Sequence, residues 1–181
     1  MKIRTILLLS TALFFFACCN KNNRQDALDN ISKFEDSIDI ANNIISVENG
    51  SKLIDLYTAF AKQFPNDSLA PAYWFRSAEV AASIHRPDLA IQFLDTVINN
   101  YPNYEHFATC HFYKGFVLEN VARDLENARL AYQEFIDKFP NDPMVNDARI
   151  SIENLGLTPE EMLEKILSQN PDAQNEVAEK Q

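Results

Sequence analysis

The chain has 181 residues, and its 16 Lys and Arg against 26 Asp and Glu give a formal charge of −10 at pH 7. So acidic a balance leaves no electrostatic footprint for nucleic acid or for anionic lipid headgroups. Three cysteines are too few for a disulfide scaffold. With only three glycines and no strand-type alternation bounded by hairpin turns, the composition points to an all-α fold.

Residues 1–17 read as a signal peptide. Lys2 and Arg4 precede an apolar run from Ile6 to Phe16, and Ala17 stands before Cys18. At a rise of 1.5 Å per residue the run is too short to cross a bilayer as a helix. A small residue and then a cysteine at the end of such a run resemble a bacterial lipoprotein processing site. The resemblance implies cleavage before Cys18 and lipidation of its thiol and amine. Phe15 and Phe16 depart from the Leu and small residue usual there, and Cys19 is a rival acceptor that would need Cys18 in the small position. The alternative is a secreted protein without a lipid. One acyl chain binds a membrane marginally, whereas two or more hold stably. Residues 18–25 follow as a polar tether, with no acidic run after the cysteine to resemble a surface-export tag. The expected location is the outer membrane, lipid-anchored and facing the periplasm.

From residue 26 to 168 the chain reads as one helical repeat domain. Leu28, Ile31, Phe34, Ile38 and Ala41 recur every three or four residues and predict an amphipathic helix over 26–42. A second helix is expected from about Ser51 to Phe64. A first full helix pair spans about Ser68 to Tyr101, with Pro87 opening its second helix. A second pair spans about Tyr104 to Phe139, with Asp124 as N-cap of its second helix. Another helix runs from Asp142 to Leu155 and is stopped by Gly156. Thr158-Pro159-Glu160-Glu161 is a capping box that starts a last helix, through Met162, Ile166 and Leu167 to about Ser168. Such a helix with polar flanks can cap an open stack. Residues 169–181 are polar and predict a disordered tail.

One phrase punctuates this stretch three times: Phe64-Pro65-Asn66-Asp67, Tyr101-Pro102-Asn103-Tyr104 and Phe139-Pro140-Asn141-Asp142. Proline cannot continue a helix and restricts the residue before it, so each phrase closes one helix and resets the chain. A fixed period in this range marks a stacked repeat.

Counted back from each closing proline, the residues resemble the tetratricopeptide repeat (TPR). Trp74 falls on the first-helix aromatic, Ala78 on the small residue at the helix crossing, and Ala90 on the small residue of the second helix, followed by Leu94 and Val97. The next unit has Gly115 at the crossing, then Ala128, Tyr132 and Phe135, with one extra residue around Ala122-Arg123-Asp124. The unit closing at Pro65 keeps Ala41, Tyr57 and Phe60. The resemblance implies a right-handed α-solenoid whose first helices line a partner groove. Carried onto this chain, the groove positions are Arg76, Glu79 and Ser83 in one repeat and Phe112, Tyr113, Phe116, Glu119 and Asn120 in the next. Burial of some of them by the helix over 147–155 is the competing expectation. In plan the chain is similar to TPR lipoproteins of outer-membrane assembly and to Tol-Pal-associated TPR proteins. The implied function is a scaffold that binds an envelope or outer-membrane protein.

Catalytic chemistry is not indicated. His106 and His111 are five apart and fall on different helix faces, His85 sits in an interhelix turn, and with Cys110 they make no zinc spacing. Cys110 lies in an apolar helix and reads as a packed thiol. No phosphate loop or nucleophile elbow is present. The expectation is a protein without enzyme activity, cofactor or metal. The alternatives are a structural, cell-wall-associated protein with no peptide ligand, and a non-catalytic subunit of an envelope enzyme.

Overall fold

The computed structural model describes residues 23–38 and 45–169, and every regular element among them is helical. In order these are α1 (23–37), α2 (Val47–Gln63), α3 (Ala70–Ser83), α4 (Pro87–Asn100), α5 (Phe107–Val117), α6 (Leu125–Lys138), α7 (Val145–Asn154) and α8 (Pro159–Gln169). Contacts divide the chain between Cys110 and His111 into two compact units. In the first, α2 packs on α3 and α3 on α4; in the second, α6 packs on α7. The all-α, TPR-like arrangement of helix pairs expected from the sequence is the one observed.

The three aromatic-Pro-Asn phrases fold alike. Phe64, Tyr101 and Phe139 cap their helices with φ near −124°, −131° and −129° and ψ of 58°, 59° and 56°. Each cap amide returns to the carbonyl four residues back, on Phe60, Val97 and Phe135. The amides of Asp67, Tyr104 and Asp142 then donate to the cap carbonyls, and their own carbonyls receive Ala70, Phe107 and Val145. Proline, which has no N–H to donate, follows each cap where the helical hydrogen bonds end, so the phrase is a reusable turn.

Core positions follow the repeat. Ala78, Ala90, Leu94, Val97, Ala128, Tyr132 and Phe135 are fully buried, and Trp74 packs its ring 5.6 Å from Phe93. Gly115 is required at its crossing, because a Cβ there would meet the Tyr132 ring at 2.6–3.0 Å. Gly50 is likewise held inside α2, where a Cβ would lie 2.6 Å from Ile84.

Pro87 opens α4, and Asp124 caps α6 by accepting from the Asn127 amide at 3.2 Å. The capping box is reciprocal: the Thr158 amide donates to Glu161 at 2.8 Å and the Glu161 amide to Thr158 Oγ1 at 3.2 Å. Three expectations are corrected. The tether was read as reaching residue 25, but α1 begins at residue 23, because Arg24 forms an ion pair with Asp67 that holds the helix start in place. α2 begins at Val47 rather than Ser51, since Ser46 accepts from the Asn49 amide at 3.1 Å and caps it. The last helix forms, yet Met162, Leu163 and Ile166 on it stay exposed, so it does not bury an apolar face as a cap would. Ala41, the signal peptide, Cys18 and Cys19 lie outside the described residues, as does the tail from residue 170.

The extra residue of the longer repeat has a defined place. α3 ends in a turn where the Arg86 amide donates to the Ala81 carbonyl, five residues back, with His85 left-handed at φ 58°. After α5 the chain widens into a π turn over Leu118–Ala122. There the Asp124 amide donates to the Leu118 carbonyl, six residues back, with Arg123 left-handed at φ 59°.

Candidate partner-binding site

In the first unit, α3 carries Arg76, Glu79 and Ser83, all three exposed. Two of the three have partners within the chain. Arg76 reaches Glu35 of α1 at 3.4 Å and lies over the Tyr73 ring. Glu35 also accepts from the Tyr57 hydroxyl at 2.6 Å, so α1 supplies Arg76 with a partner from the chain itself. Burial, and then the Glu35 hydrogen bond, raise the Tyr57 pKa well above the ordinary phenol. Desolvation raises the Glu79 carboxyl, while Arg76 and His106 draw it back. The Ser83 hydroxyl donates back to the Val80 carbonyl at 2.8 Å.

In the second unit, the five expected positions separate into two groups. Phe112 turns toward α6, with its ring 5.5 Å from Tyr132 and edge-on to Phe135 at 5.6 Å. It is half-buried and packs within its own hairpin. Glu119 is held by the Tyr132 hydroxyl at 2.8 Å, and Asn120 donates to the Phe116 carbonyl at 3.1 Å. Tyr113 and Phe116 remain as a surface pair, their rings stacked at 5.5 Å and 12° apart, with Phe116 41% exposed. Three residues apart on one helix, two aromatic rings lie side by side. Exposed aromatic rings are the usual anchors of protein interfaces.

Among the described residues, no group of three or more His, Cys, Asp and Glu is placed to hold a metal ion. Cys110 is buried, and burial pushes its thiol up to about 12. His111 is buried: Lys138 Nζ lies 3.2 Å from its Nε2, and Glu134 lies 3.7 Å from its Nδ1. A tautomer with the proton on Nδ1 fits both contacts.

Residues 110–142 match the family model described as tetratricopeptide repeat. The chain contains a TPR. The match covers the last part of α5, the π turn, α6 and the third aromatic-Pro-Asn turn, so the TPR includes Tyr113, Phe116 and Asp142. No curated protein matches the chain. TPR helices are typically non-catalytic scaffolds that hold protein partners, and the Tyr113–Phe116 pair lies on the first helix of this TPR.

Two features were not read from the sequence. One is a cleft of about 860 Å³ in the first unit, between the Pro65 and Pro102 turns and lined in part by Trp74, Tyr101 and Tyr104. Lys62 lies over the Trp74 ring there, at 5.7 Å. The other is the Arg24–Asp67 pair. Its signal was present in the recurrence of aspartate at the fourth place of the phrase, at 67 and 142.

Proposed function

We propose that this protein is a bacterial cell-envelope lipoprotein, anchored at Cys18 to the outer membrane on its periplasmic side, whose TPR binds an envelope or outer-membrane protein. Outer-membrane assembly and envelope maintenance are the roles it suits. The observation that carries the binding reading is the stacked Tyr113–Phe116 pair on the first helix of the TPR, with Tyr113 half-buried and Phe116 exposed. The anchor reading is supported by the short apolar run ending in Ala17-Cys18. Among the described residues, no helix is long and apolar enough to cross a membrane.

Two anchors of this kind contribute about 2 kcal/mol or more each, whereas rim charges contribute little. Changing Tyr113 and Phe116 together to Ala is expected to abolish partner copurification while circular dichroism stays helical. Asp137→Lys is expected to leave copurification nearly intact, since Asp137 is exposed and accepts from Gln133 of its own helix at 2.9 Å. The opposite ranking would replace the aromatic face with an acidic docking face. For the anchor, Cys18→Ser is expected to release the protein from membranes and remove its acyl groups. Acylation that persists in Cys18→Ser and vanishes in Cys19→Ser would move the anchor by one residue.

A further inference from the structure

The α1–α2 and α5–α6 hairpins share a register. Tyr57 of α2 donates its hydroxyl to Glu35 of α1 at 2.6 Å, and Tyr132 of α6 donates to Glu119, in the π turn that follows α5, at 2.8 Å. Each second helix then ends in the same aromatic pair, Phe60–Phe64 at 5.1 Å and Phe135–Phe139 at 5.6 Å. Each is followed by Pro-Asn-Asp with the same backbone turn. Asp67 Oδ1 accepts the Leu69 amide at 2.9 Å, and Asp142 Oδ1 accepts the Met144 amide at 2.9 Å.

At the first of these turns the chain shows what the arrangement binds. The Arg24 guanidinium forks onto both Asp67 oxygens, with Nη2 to Oδ1 at 3.2 Å, and its Cζ lies 6.0 Å from the centre of the Phe60 ring. A forked guanidinium donating to a carboxylate beside an aromatic ring is an arrangement that lysine cannot reproduce. At the third turn no guanidinium of the described residues is placed on the carboxylate. Among the described residues, Asp142 receives only the Met144 amide. Lys138 is directed to His111 and to the Phe139 ring. Counting back from Glu119 as Arg24 lies from Glu35 reaches Ala108, which has no charge to offer. The turn itself is open, with Pro140, Asn141 and Pro143 exposed and Asp142 half-buried.

We propose that the Phe139-Pro140-Asn141-Asp142 turn is a docking site for an arginine side chain presented by a partner protein, Asp142 taking the guanidinium as Asp67 takes Arg24. The occupant follows from the filled turn and from charge, since a chain of net charge −10 favours a cationic contact. The site is separate from the Tyr113–Phe116 pair and stands whether or not that pair is an anchor.

The test is a titration of the isotope-labelled full-length chain with acetyl-Ala-Arg-Ala-amide and with its lysine counterpart, followed by amide chemical shifts. The arginine peptide is expected to move the Asp142 and Met144 amides saturably, the lysine peptide to bind more weakly, and Asp142→Asn to abolish the effect while the rest of the spectrum is unchanged. The Asp67 and Leu69 amides should stay still until Arg24→Ala empties the first turn, after which the same peptide should move them as well. The proposal is overturned if the third turn fails to respond while the emptied first turn does. It is equally overturned if lysine and arginine act alike, or if the response survives Asp142→Asn.

Discussion

The α3–α4 and α5–α6 pairs have the same parts and differ by one residue at the turn between their helices. After α3 the return bond spans five residues, from Arg86 to Ala81; after α5 it spans six, from Asp124 to Leu118. Both turns end on a left-handed residue, His85 or Arg123, and both then deliver a buried alanine, Ala90 or Ala128, to the second helix. A π turn takes up the inserted residue without passing it on, because each residue of an α-helix turns the chain by about 100° and an unabsorbed insertion would rotate everything after it. Insertions in this chain are therefore tolerated where a turn can widen, and core register is preserved on either side.

Deletions break the comparison most severely. Removing Ala122 should convert the second turn into the five-residue form of the first, with helical circular dichroism kept and melting changed by only a few degrees. Removing Ala82, where the chain holds no spare residue, should rotate the end of α3 and abolish cooperative melting. Equal damage from the two deletions would show that the π turn has its own structural role.

A smaller effect separates the crossings. Ala78 and Gly115 occupy the same repeat position, but only the first has room for a methyl group. On helix propensity alone Gly115→Ala would stabilise by about 1 kcal/mol. The Tyr132 ring, at 2.6–3.0 Å from the new Cβ and fully buried, reverses that sign. The expected outcome is a loss of roughly 1–3 kcal/mol, read as a melting temperature lower by roughly 2–12 °C. A higher melting temperature would mean that the ring moves aside.

The smallest expected effect tests the shared element. A non-glycine residue at positive φ is strained, so His85→Gly and Arg123→Gly should each stabilise by a few tenths to about 1 kcal/mol. Chemical denaturation of both variants would show whether the two turns are strained alike, and a gain at one position alone would separate them.

Much of this fold is legible in the sequence because its punctuation is local. Proline after an aromatic, Asp124 before α6 and Thr158 three residues before Glu161 each act within one helical turn, and each behaves as its neighbours dictate. The extra residue near Ala122 is visible as a count, but the count does not distinguish a longer loop from a widened helix end. Arg24 and Asp67 are 43 residues apart, so nothing near Arg24 marks it as part of the fold. The site was legible only by halves. The tetratricopeptide resemblance placed Tyr113 and Phe116 on one helix, yet it could not show that Phe112 turns to Tyr132 and Phe135, which depends on ring packing across the hairpin.

The early start of α1 also shortens the leash. Between Cys18 and the first helical residue at 23 lie only four residues, and a fully extended chain gains at most about 3.6 Å per residue. With Cys18 as the proposed anchor, the first turn of α1 could rise no more than roughly 18 Å above the lipid surface. Membrane distance would then select partners: a protein whose binding segment lies far from the membrane plane would be out of reach, whatever its fit.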